Sequence, residues 1–113
     1  MVFRIEVGRA LEDLSLVHRR LLDLIEWNKL AEQEHWGNRP PAFDPHTRVQ
    51  EHLREDIKMF YDLFVSTSAQ LRHLIGRHDL VCTADERSYW RQRLQELDRS
   101  VERLHITQRF IRI

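Results

Sequence analysis

Apolar residues recur at every third and fourth position along most of the chain. From Phe3 the series runs Val7, Ala10, Leu14, Val17, Leu21, Leu24, Asn28 and Ala31. A second runs Leu53, Ile57, Phe60, Phe64, Thr67, Leu71 and Leu74. A third runs Trp90, Leu94, Leu97, Val101, Leu104, Gln108 and Ile111. Twenty of these 23 positions are apolar, where a composition of 42% apolar residues would place about ten. Alternating steps of three and four keep one stripe of a helix facing a neighbour, so the pattern predicts helices packed at shallow angles.

The breaks in the pattern coincide with residues that stop helices. Gly37-Asn38-Arg39-Pro40-Pro41 ends the first run, because consecutive prolines remove backbone donors and clash with the preceding turn. Asp44-Pro45 reads as the cap and first residue of a second helix. Gly76 marks its end. Thr83-Ala84-Asp85-Glu86 is a capping box opening a third. Helices are therefore predicted over 3–36, 45–76 and 84–111. No segment alternates with period two between turn signals, so no strand is predicted. The expectation is one all-α domain over 1–113: an elongated up-down-up three-helix antiparallel bundle with coiled-coil-like heptad packing.

One stripe per helix satisfies such a bundle, and this chain carries more. Ile5, Leu16, Leu22, Trp27 and Leu30 lie off the first seam, and Met59, Tyr61 and Leu63 off the second. Ile106, Phe110 and Ile113 form an extra stripe in the third run. Surplus apolar surface predicts a protein partner, most simply a homodimer. Leu16, Leu30, Ile106 and Phe110 are the residues assigned to that interface.

Composition narrows the classes. Eighteen basic residues balance 18 acidic ones, giving a formal charge of zero and no basic footprint for nucleic acid. No apolar stretch is long enough to cross a membrane. Met1–Glu6 lacks the apolar region of a signal peptide, so a cytoplasmic location is predicted. Cys82 is the single cysteine, which excludes an intramolecular disulfide framework and reads as a small apolar side chain.

The chemical signal lies in the exceptions to the seams. Folding the hairpins at residues 40 and 80 sets residue 28 opposite about 53, and 53 opposite about 107. Asn28, His52 and Gln108 then share one height, with Glu32, His35, Asp56 and His105 one turn away. Glu32 and His35 are spaced i, i+3, and His52 and Asp56 i, i+4, so each pair shares one helix face. His35, His52, Glu32 and Asp56 are thus candidate ligands for a single transition-metal ion. Di-iron bundles need Glu-x-x-His twice, and here it occurs once. Arg72-x5-His78 and Arg99-x5-His105 match a loose spacing found in helical ribonucleases of the HEPN class, but 16 Arg and seven His produce it readily by chance. No nucleophile elbow, phosphate loop or dinucleotide fingerprint is present.

The sequence therefore points away from an enzyme and toward a helical interaction or assembly module, of the adaptor, small-subunit, antitoxin or immunity type, with no required cofactor. The alternative is a metal-binding or catalytic bundle that uses the polar end. If metal binds there, affinity falls with protonation of the imidazoles. Zinc titrated into the protein should then bind more weakly at pH 5.5 than at pH 7.5, and binding should disappear in the His35→Ala, His52→Ala double variant.

Overall fold

The structure is a computed structural model that describes residues 1–37 and 45–111, with side chains over 1–33 and 50–111. Among them it is mostly helical. The elements are β1 (Val2–Phe3), α1 (Arg4–Gly37), α2 (Pro45–Gly76), β2 (Leu80–Val81), α3 (Ala84–Glu102) and α4 (Ile106–Phe110). The molecule is long and narrow, 60 × 24 × 18 Å. A 34-residue α1 accounts for most of that length, since a helix rises about 1.5 Å per residue.

The seam residues form the core. Val7, Leu14, Leu21 and Leu24 of α1 are buried with Ile57, Phe64, Leu71 and Ile75 of α2. Trp90, Leu94, Leu97 and Val101 complete the same cluster from α3. Cys82 is half-buried and packs against its edge. Polar contacts record how the helices lie. Arg4 pairs with Glu86 at 3.4 Å, and the His18 ring meets Ser100 at 2.7 Å. Both contacts join residues 82 apart in sequence. Ser68 meets Asp98 at 2.8 Å, and the Arg20 guanidinium lies 5.9 Å from the Phe60 ring.

Two features differ from the sequence reading. First, a short parallel pairing exists, Val2 with Leu80 and Phe3 with Val81. Two residues per strand are too few to display alternation against turn signals, so the periodicity could not reveal it. Val2 and Leu80 point inward, and Phe3 and Val81 point outward. The pairing ties the start of α1 to the turn after α2. That turn is held by Asp79, which takes two hydrogen bonds from Arg77 at 2.8 and 2.7 Å. Those bonds, with the nearby terminal ammonium, hold the Asp79 carboxyl well below its ordinary range. Gly76 does end α2, but not through a left-handed stop, since no described glycine has positive φ. Arg87 instead reaches back from α3 to the carbonyls of Ile75 and Arg77, satisfying acceptors that a helix end leaves open.

Second, the third helix does not run unbroken to residue 111. It ends at Glu102, and His105 adopts left-handed backbone angles, φ 52° and ψ 41°. The break changes which residues face inward. Continuous steps of three and four would carry the seam from Val101 through Leu104 to Gln108. With the break it passes from Val101 to Ile106 and Phe110, which are 2% and 4% exposed. Gln108 is exposed. Ile106 and Phe110 therefore belong to the core and offer no surface to a partner, which corrects their assignment to the interface. Thr83 forms the predicted capping box: its hydroxyl accepts from the Glu86 amide at 3.1 Å, and the Glu86 carboxylate accepts from the Thr83 amide at 3.0 Å.

Leu21→Ala and Leu97→Ala should each lower stability by about 2–5 kcal/mol, as truncations of buried leucines do. Ile106→Ala should fall in the same range of about 2–5 kcal/mol rather than behave as a surface change. Urea unfolding followed by circular dichroism measures all three, and neutral effects would contradict the core assignment.

Candidate functional site

The polar end is built around Asn28, the one polar residue on the α1 seam. It is fully buried. Its amide nitrogen donates to Glu32 one turn on, at 3.3 Å, and its amide oxygen has no hydrogen-bond partner. A buried acceptor left open costs about 1–3 kcal/mol, so Asn28 is held in place by the packing around it. Glu32 is half-buried. Across the bundle, Arg54 of α2 donates to the Arg109 carbonyl at 3.0 Å and lies 5.4 Å from the Phe110 ring. The segment carrying His105 and Gln108 thus sits beside the first half of α2.

His52 and Asp56 are exposed on α2, and His105 and Gln108 are exposed near α4. The side chain of His35 lies outside the described residues. Among the described residues no three His, Cys, Asp or Glu side chains stand close enough to hold a metal ion.

Two polar arrangements were not legible in the sequence. In the first, Ser68 is 4% exposed and its hydroxyl donates to Asp98. Arg72 donates to the other oxygen of that carboxylate at 2.7 Å. The cluster borders an open groove of about 680 Å³ between α2, α3 and α4, where Tyr61, Arg99, His105 and Thr107 also reach the surface. Both oxygens of Asp98 are already engaged by protein donors, so the trio joins helices rather than presenting a base. Ser68 carries no apolar signal of its own and stands beside the seam position Thr67 rather than on it.

The second arrangement is the pair His18 and Ser100, with the imidazole Nε2 and the hydroxyl 2.7 Å apart. Burial lowers the His18 pKa below its ordinary value, and the positive charge of Arg93 lowers it further. A neutral imidazole against a hydroxyl is the first half of a nucleophile-and-base pair. No described carboxylate hydrogen-bonds the other ring nitrogen to complete the second half. The pair serves as a polar tie between α1 and α3.

What remains conspicuous is exposed apolar surface on α1. Ile5, Leu16, Trp27 and Leu30 are 60%, 57%, 46% and 48% exposed. At about 100° per residue they fall within roughly 60° of arc, turned away from the buried seam. Met59 and Leu63 are exposed on α2 as well. The Arg20–Phe60 contact places these α2 residues level with the middle of α1. No described helix is long and apolar enough to cross a membrane.

No known protein family, curated protein or solved structure matches the chain.

His18 gives a pH test. Its folded pKa is lowered, so the stability it contributes is present above the unfolded value near 6.5 and is lost as pH falls toward the folded one. Unfolding free energy should therefore decline between pH 7 and 5, and His18→Gln should flatten that decline. Thermal or urea melts across the range decide it.

Proposed function

We propose that this protein is a non-enzymatic helical interaction module that works by assembling with another protein, most simply a second copy of itself. The observation that carries this reading is the outward apolar stripe of α1, Ile5, Leu16, Trp27 and Leu30, each of which keeps roughly half of its surface exposed. Leu16 and Leu30 keep their place in the interface read from the sequence. Ile106 and Phe110 leave it.

The architecture that suits this role is an up-down-up bundle with heptad-type packing. The constant separation of 82 residues in the Arg4–Glu86 and His18–Ser100 contacts supports a parallel α1 and α3. Arg20 over Phe60 and Ser68 with Asp98 support an α2 antiparallel to both. A three-helix bundle of this kind leaves the groove between α1 and α2, on the side away from α3, without a fourth helix. Apolar side chains along such a groove gain by being covered, at about 25 cal/mol per Å² removed from water. The balanced composition of 18 basic and 18 acidic residues favours a protein surface over nucleic acid as the partner.

Sedimentation equilibrium tests the reading. The 13.8 kDa chain should run as a dimer at micromolar concentration, and Leu16→Glu should shift it to monomer while leaving the helical spectrum intact. A monomer at every concentration would refute self-assembly.

A further inference from the structure

The outward face of α1 has an order that exposure alone does not require. Taken at steps of four, three, four, four, three and four residues, its positions are Ile5, Arg9, Glu12, Leu16, Arg20, Asp23 and Trp27, and all are exposed. Reversed about Leu16, the same steps recur. Ile5 then falls on Trp27, Arg9 on Asp23, and Glu12 on Arg20, while Leu16 falls on itself. Every apolar position meets an apolar one, and every charge meets its opposite. Among the described residues no ion pair uses Arg9, Glu12, Arg20 or Asp23. Arg20 does lie over Trp27 at 5.1 Å, which leaves its charge without an acidic partner.

We propose that a second copy of this chain docks antiparallel along this face of α1, about a two-fold axis through Leu16. The proposal rests on the assembly reading above and specifies its partner and orientation. A two-fold interface joins the same patch on both subunits, so the patch must complement itself. Here the symmetry would bring each Arg9 to Asp23 of the second copy, and each Glu12 to its Arg20. The two Leu16 side chains would meet at the axis, flanked by Ile5 against Trp27. A parallel arrangement in register would set Arg9 against Arg9 and Glu12 against Glu12, and like charges at close quarters disfavour it.

Size agrees with the assignment. The line from Ile5 to Trp27 is about 33 Å long at 1.5 Å per residue, and two adjacent helices are about 20 Å wide. That gives about 700 Å² per copy, close to the ~800 Å² per partner of stable interfaces. Met59 and Leu63, exposed on α2 beside the middle of the line, extend its apolar part. Four charged positions among seven make the contact salt-sensitive, since pairs near the surface are screened.

The experiment is a charge exchange read by sedimentation equilibrium, with circular dichroism to follow the fold. Arg9→Glu alone should raise the dimer dissociation constant at least tenfold, because both of its symmetric pairs become repulsive. Asp23→Arg alone should do the same. The double variant Arg9→Glu, Asp23→Arg exchanges the partners and should return the constant to within threefold of the original. In a Cys82→Ser background, Leu16→Cys should oxidise to a covalent dimer. A dimer that ignores the single reversals, or is not restored by the double, overturns this orientation and leaves the assembly reading standing. A chain that is monomeric at all concentrations overturns both.

Discussion

Everything in this molecule depends on burying the inner stripe of one 34-residue helix. Isolated helices are marginal in water, and α1 carries Gly8 and several charges along its length, so its stability must come from packing. Val7, Leu14 and Leu21 are completely buried, and Leu24 nearly so. They meet α2 along one side and α3 along the other. The β1–β2 pairing and the Arg4–Glu86 contact anchor the start of this arrangement. The His18–Ser100 bond repeats the tie farther along. Asn28 interrupts this apolar stripe with one buried amide. Because the described part of α1 is committed inward along one stripe, its opposite face is left on the surface.

The helices were legible because their signal is long and redundant. Gly37, Pro45, Gly76 and Thr83 all bound elements where local chemistry says they should. The departures share one physical cause, which is that they are set by tertiary contacts too short to leave a period. Two residues of strand cannot alternate visibly. A left-handed residue at His105 carries no Gly or Asn to announce it, yet it rotates the remaining chain so that Ile106 and Phe110 turn inward. The surplus stripe assigned to the third helix was a real stripe with a different destination. On α1, where no break intervenes, Leu16 and Leu30 stand outside as their spacing predicts.

Polar contacts between helices are less legible for a related reason. Residue spacing along one helix identifies pairs such as His52 and Asp56, but not their distance from a second pair on another helix. Both are exposed on α2. The polar contacts that do form, Ser68 with Asp98 and Arg72, and His18 with Ser100, join helices far apart in sequence. They consume their donors and acceptors internally. The chain's charges are thereby divided between those that tie helices together and those that stay on the surface.

The break at His105 has a consequence for how the molecule opens. A five-residue α4 is far too short to hold itself together, since forming the first turn is the unfavourable step. It is present only because Ile106 and Phe110 are docked beneath it. A continuous third helix would transmit its stability to its last turn, whereas the kink isolates α4 as a separate small cooperative unit. Its backbone amides are therefore expected to exchange with solvent sooner than those of the three long helices.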